Sequence, residues 1–331
     1  MAADVSQITS RLSTVAAAAL LFAACDAVQL PTDDGPAPTP PEVSEETQAD
    51  STVQPAGAER TGAPAVWTLS DEDTTIHLFG TVHVLKPEMT WRTPDFDALV
   101  STVDTIYFEA DVTSDEAQAA IAPLVMQEGL YGASGGSLTA TLDDEEEREV
   151  EEALDLLGLE MAAIDPMKPW MAGVQLASAQ VAAAGYDPNS GVEMVLSGIA
   201  AEQGIEIGYF ETAVEQLGFF VNLPEGDQVD FLVQSAIDIE DNPGLLDEIV
   251  EDWASGDVSG IADLLAEPSA LGSDAVYETL IVERNTNWTP KIEALLEEPG
   301  VKMVAVGAAH LAGDDSVVQM LRDSGYTVSG P

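Results

Sequence analysis

The sequence predicts an α/β fold, with a mixed central sheet, flanking helices and a large helical insertion in the middle of the chain. Three observations carry this. Four short runs, "TIHLFG", "DTIYFE", "IEIGYFE" and "KMVAVG", have the β-branched, aromatic and apolar make-up of strands. Most of the chain between the second and the fourth carries apolar residues at three- and four-residue steps, the helical period. The chain has 331 residues, 46% of them apolar, which is enough to bury a sizeable core.

Taken in order, "AVWTLSDEDTTIHLFG" reads as two strands around the acidic turn Ser70 to Asp73. "PDFDALVSTV" has helical spacing, and "DTIYFEADV" is a strand ending at Glu109, so a β-α-β unit is expected here. The insertion follows as "DEAQAAIAPLVMQEGL", "DDEEEREVEEALDLLGL", "KPWMAGVQLASAQVAAAG" and "GVEMVLSGIAAEQG", each punctuated by Gly, Pro or Asp. The strand "IEIGYFE" ends at Glu211. Further helices run through "LGFFVNL", "DFLVQSAI", "LLDEIVEDWASGD" and "AVYETLIVERNTNWTPKIEALLE". "VKMVAVG" is the last long strand, and "DSVVQMLRDSGYTV" closes the chain as a helix with a strand-like tail. Nothing repeats at a short fixed period, which argues against a solenoid.

Residues 65–331 are therefore expected to form the folded domain, and two segments precede it. Arg11 is followed by the apolar stretch Val15 to Cys25, which matches a signal-peptide core and is too short to span a bilayer. Residues 1–25 thus read as an export signal. "FAAC" resembles a lipobox, which would make the chain a cell-envelope lipoprotein anchored at Cys25. Plain secretory cleavage and an uncleaved buried helix are the alternatives. Residues 26–64 are rich in Pro, acid, Ser and Thr, a composition that forms no core and suits a disordered tether.

Sixty acids stand against ten bases, a formal charge of -50. This excludes nucleic-acid or anionic-membrane binding through a basic face, leaving the lipid anchor as the expected membrane contact. Spread along the whole chain, the acids fit a protein kept soluble at high ionic strength, where screening weakens self-repulsion. The single cysteine excludes an intramolecular disulfide and a multi-cysteine zinc site.

The chemistry lies at the strand ends. "TIHLFGTVH" delivers His83 and "KMVAVGAAH" delivers His310, both as strand-G-x-x-H. "DTIYFE" and "IEIGYFE" deliver Glu109 and Glu211. In open α/β sheets functional groups collect beyond the carboxyl ends of the strands. Two imidazoles with one or two carboxylates suit a divalent ion such as Zn, Mn, Fe or Co with a position left for water. Gly80 and Gly307 lack a side chain where the backbone must turn or let a ligand approach. Each residue has a plainer role open to it: a strand-end His can simply be hydrogen-bonded, and the glutamates can be solvated strand ends. His77, inside its strand, reads as packing or surface. In "ERNTNW", Arg284 sits on an apolar helix beside Asn285 and Trp288 and asks for a carboxylate partner, either a substrate group or an acid of the site.

The paired G-x-x-H motifs, Glu109, "KPW" at 168–170, "GVE" at 191–193, "FETAVEQL" at 210–217, "WASGD" at 253–257, "ERNTNW" and "VAVGAAHLAGDDSVVQMLRDSGYTV" together resemble the TraB/GumN family. The resemblance covers roughly residues 65–330. It places the chain in a superfamily with erythromycin-esterase-like enzymes, the Tiki metalloproteases and a haem-binding lipoprotein. By that resemblance His83, Glu109 and His310 would hold a metal, Mn or Co in the Tiki relatives. Glu211 would be a fourth ligand or the general base. Arg284 with Asn285 would orient a substrate carboxylate or steady an oxyanion. The implied activity is a metal-dependent hydrolase acting on a peptide or other small-molecule substrate. The alternative is a non-catalytic peptide- or haem-binding lipoprotein, with Tyr107 or Tyr209 available as a haem ligand.

Overall fold

The computed structural model describes residues 62–132, 135–265 and 271–331. The expected export signal with Cys25, and the tether up to residue 61, lie outside the described residues. Six strands form one mixed sheet: β1 (Val66–Ser70), β2 (Thr74–Thr81), β3 (Thr105–Asp111), β4 (Glu206–Thr212), β5 (Gly300–Gly307) and β6 (Val328–Ser329), in the order β4-β3-β5-β2-β1-β6. β1 and β2 form the expected hairpin, and β6 adds antiparallel to β1. The four strands read from sequence as site-bearing are the four parallel neighbours, β4 beside β3, β3 beside β5 and β5 beside β2. All four therefore end at one edge of the sheet.

The longer helices follow the periodicity. They are α1 (Pro94–Val100), α2 (Asp115–Leu124), α3 (Asp144–Leu157), α4 (Pro169–Ala183), α5 (Val192–Gln203), α6 (Ala213–Val221), α7 (Glu225–Asp241), α8 (Leu245–Ser255), α9 (Val258–Leu265), α10 (Glu283–Ala294) and α11 (Val317–Asp323). Local signals set their ends. α3 starts with a capping box between Asp143 and Glu146 and stops at Gly158, whose φ of 69° suits a residue without a Cβ. α4 is buried on nearly every side and packs on α7, where Gly173 lets the Phe231 ring approach.

Three apolar clusters result. One, with Trp170, Phe220 and Phe231, fills the helical insertion. A second lies between one sheet face and α1, α5 and α8, with Phe79, Phe96, Leu196 and Trp253. The third, with Leu78, Val304, Trp288 and Leu321, joins the other face to α10 and α11. No helix among the described residues is long and apolar enough to cross a membrane.

Two turns among the described residues wind more widely than an α-helix. Val125–Gly129 and Glu278–Val282 wind as π-helix, and the second runs directly into α10 just ahead of Arg284. Such single turns often mark functional sites because they re-aim the side chains beyond them. Gly80 answers to packing. A Cβ there would come within 3.1 Å of the Ala308 Cα, so its absence lets the chain after β5 cross the end of β2.

Candidate functional site

The edge where the parallel strands end carries a buried cluster of charges. Glu109 lies in the last third of β3, Glu211 near the end of β4, and His310 one short 3-10 turn past β5. Arg284 enters from the first turn of α10 and is 1% exposed, among three partners that are also almost fully buried. Its Nε donates to Glu211 Oε1 at 3.1 Å, and its Nη2 donates to Glu211 Oε2 at 2.9 Å and to Glu109 Oε2 at 2.6 Å. Nη1 faces His310 Nε2 at 3.2 Å and the Leu280 carbonyl at 3.5 Å. The fork thus has a partner for every N–H.

The shell around this core is equally committed. Glu109 Oε1 accepts the Gly307 backbone N–H at 2.7 Å, and its Oε2 also accepts from Gln216 at 3.1 Å. Trp288 Nε1 donates to Glu211 Oε1 at 2.8 Å. His310 Nδ1 meets Asn285 Oδ1 at 2.7 Å, while Asn285 Nδ2 donates to the Asp315 carbonyl at 2.8 Å. Because the Asn285 side-chain oxygen only accepts, the His310 proton must sit on Nδ1, and Nε2 offers its lone pair to Arg284. A capping box between Thr212 and Glu215 starts α6 immediately after β4 and sets Gln216 against Glu109.

One guanidinium cannot fully neutralise two carboxylates, and the two titrate apart. Burial pushes the Glu109 carboxyl up, but Arg284, the nearby imidazoles and the Gly307 N–H outweigh it and bring it to about 2. Glu211 is raised, burial dominating over the guanidinium. Burial and then the Arg284 charge lower His310 to about 3. The unfolded chain binds a proton at this imidazole near its ordinary 6.5, whereas the folded chain does so only near 3. Between those values the unfolded state holds more protons, so the contribution is fully present above 6.5 and is lost as pH falls toward 3. His310→Gln is therefore expected to flatten the fall of melting temperature with pH across that window, as calorimetry at successive pH values would register.

His83 makes no hydrogen bond to this cluster, though Glu109 and Arg284 lie near enough to act on its charge. It follows β2, and its Nδ1 lies 2.7 Å from Glu193 Oε1, an oxygen that also accepts from the Thr81 hydroxyl. Its Nε2 is buried and meets no hydrogen-bond partner among the described residues. Burial lowers the imidazole pKa, but the charge and hydrogen bond of Glu193 prevail and the net shift is upward. Backbone bonds hold the pair together, Val192 N–H to the Val82 carbonyl at 3.0 Å and Asp187 N–H to the Leu85 carbonyl at 3.0 Å. A Cβ at Gly191 would run into the His83 carbonyl, so this glycine lets α5 bring Glu193 up to the ring.

Sequence reasoning placed Glu109, Glu211, Arg284, Asn285 and His310 in the site, and the fold brings these five into one bonded cluster. It singled out neither Glu193 nor Gln216, although both lie in the stretches "GVE" and "FETAVEQL". His77 pairs with Thr68 across the hairpin, away from the site. Arg284 has every N–H committed inside the protein and Asn285 Nδ2 donates to the Asp315 carbonyl, which leaves no free fork for a substrate carboxylate.

The expected metal finds no ready-made set of ligands here. His83, Glu109 and His310 do not form a group whose ligand atoms all lie within 4.8 Å of one another. Among the described residues only Glu149, Glu152 and Glu240, on the helical insertion, form such a group. Glu109 and His310 Nε2 instead face the guanidinium. As assembled, the three residues do not fit a shared divalent ion.

The profile of the TraB/PrgY/gumN family matches residues 65–330, a span that contains every residue of the cluster and the His83–Glu193 pair. The chain belongs to this family. YbaP of Escherichia coli (strain K12), itself uncharacterized, is 23% identical over 246 residues, covering 74% of this chain and 87% of that protein. The YbaP protein of Shigella flexneri matches with the same identity and coverage. No solved structure matches the chain with significance.

Proposed function

We propose that this TraB/PrgY/gumN protein is a hydrolase that cleaves peptides, with His83 as general base. The observation that carries the reading is the unpartnered Nε2 of an imidazole anchored through Nδ1 by a carboxylate. That is the arrangement general-base catalysis asks for: one nitrogen fixed, the other without a protein partner. A water bonded to Nε2 would attack the scissile carbonyl carbon and pass its proton to His83. The imidazolium so formed is stabilised by Glu193, and the same proton goes to the departing amine when the C–N bond breaks.

The base assigned from sequence to Glu211 passes to His83, because both Glu211 oxygens are held by Arg284 and Trp288. Arg284 contributes a fixed positive charge next to the reaction centre, in a setting too dry to screen it. The anchor at Cys25 and export to the cell envelope remain part of the proposal on sequence grounds. Release from the membrane fraction by Cys25→Ser would support them, and a wild type that is soluble from the start would remove them.

Mass spectrometry of a broad peptide library incubated with the protein tests the reading. Discrete cleavage products that fail to form with His83→Gln support it. A protein that binds peptides or haem tightly and returns them unchanged is instead a sequestering protein, with the partly exposed Tyr209 as one group available to a haem.

A further inference from the structure

We infer that the free edge of β4 is a docking strip for the peptide substrate of the hydrolase reading, on which this inference rests. The strip selects an extended segment of alternating apolar and basic residues. β4 closes one side of the sheet and, among the described residues, pairs only with β3. Edge strands of soluble proteins are commonly guarded by Lys or Pro within the strand. β4, "EIGYFET", contains neither. It presents Ile207, 37% exposed, and Tyr209, 43% exposed, two residues apart and so on one face. That spacing matches the two-residue period of an added strand, whose backbone pairs with the edge while alternate side chains find partners.

Charge decides what the strip can hold. Glu202 and Glu206 are exposed ahead of Ile207, and Asp111 and Glu215 lie at the far end of the strand. Burial and then the Asp111 charge push the Tyr209 hydroxyl up, so that carboxylate is within reach of the ring. Lys291 comes in from α10 and donates to the Phe210 carbonyl at 2.6 Å, one base against four acids. A second copy of this chain would lay the same acids against them, at a formal charge of -50 each. The strip therefore repels its own kind and attracts a basic peptide.

The topology then sets where such a peptide is cut. β4 lies three strand spacings from β2, and both end at the edge that carries the charge cluster, where His83 follows β2. An added strand would lie one spacing further out, about 19 Å from β2 at about 4.8 Å each, a gap that about six extended residues span. The scissile bond is thus expected about six residues from the docked segment.

Binding, rather than turnover, provides the test, with His83→Gln as the background so that the probe stays whole. The probe is a nine-residue peptide of alternating Val and Lys, titrated by calorimetry beside peptides of alternating Val and Glu and of alternating Ser and Lys. The expected result is one site for the Val/Lys peptide, with the other two at least about tenfold weaker. Adding Ile207→Ser and Tyr209→Ser should weaken the Val/Lys peptide about tenfold or more, the scale of a truncated interface anchor. N-methylation of alternate residues of the probe should also abolish binding, because an added strand needs its N–H groups. No binding of the Val/Lys peptide overturns the inference. So does equal binding of either comparison peptide, or affinity that is unmoved by the serine substitutions or by N-methylation. Should the doubly substituted protein fail to fold, Glu206→Lys decides: it should weaken the Val/Lys peptide and strengthen the Val/Glu peptide, and no change in either overturns the inference. A Val/Lys segment that docks on β4 but is never cut by wild type, even within a longer peptide, leaves the docking strip standing and removes the hydrolase reading.

Discussion

Replacing His83 with Gln is expected to lower peptide turnover by about 10²- to 10⁴-fold, the usual contribution of a positioned general base. The protein should stay folded. The side chain is 18% exposed and its Nε2 has no hydrogen-bond partner among the described residues, so no hydrogen bond is lost there. Gln keeps a donor for Glu193 but cannot take a proton from water. Single-turnover rates on the best-cleaved library peptide would measure the effect. A variant that keeps near-wild-type rates would move the base elsewhere, and Glu211 would be the next residue to examine.

The largest effect on stability should come from Arg284→Met. It removes the guanidinium that ion-pairs with two carboxylates, themselves almost fully buried. Breaking a buried pair by deleting one partner costs about 3–5 kcal/mol, because the charge left behind has lost its compensation. A midpoint shift in urea unfolding of that size is expected. Adding Glu211→Gln to Arg284→Met should restore part of the loss, since it removes one of the stranded charges. If the double variant is less stable than Arg284→Met alone, the cluster is held by packing around Trp288 and Phe219 more than by charge.

Much of this architecture was legible in the sequence, and the reasons are local. β2, β3, β4 and β5 are short apolar, β-branched runs with sharp ends, and their bounds fall within a residue or two of the expected ones. That their ends meet at one edge follows from parallel pairing, which a β-α-β reading already implies. Arg284 was legible as a cation in need of a carboxylate, although a surface ion pair with Glu283 or Glu278 would have explained it equally well. What sequence left open was whether that carboxylate belonged to a substrate or to the protein. The answer depends on β3, β4 and α10 meeting in space, 175 residues apart along the chain for Glu109 and Arg284.

Glu193 was hidden for a similar reason. It is one of sixty acids, and only the backbone bonds that hold the loop after β2 against the start of α5 single it out. The glycine two residues ahead of it was the available signal, since a Gly at the start of a helix can mean that another chain segment passes close by. The reading of Gly80 and Gly307 as aids to ligand approach depended likewise on distant partners. One makes room for Ala308, and the other donates its N–H to Glu109.

The central claim is that Glu193 holds His83 ready to take a proton, and the pH dependence of kcat/KM for wild type against Glu193→Gln tests it most directly. A base must be unprotonated to act, so wild-type activity should rise with pH through a midpoint above the ordinary imidazole value of 6.5, as the upward shift of His83 requires. Removing the anionic partner takes away the largest influence that raises that pKa and leaves the burial that lowers it. The midpoint of Glu193→Gln should therefore move to lower pH and its plateau should drop. A profile that stays in place on Glu193→Gln, or activity that falls as pH rises through this range, would contradict the account.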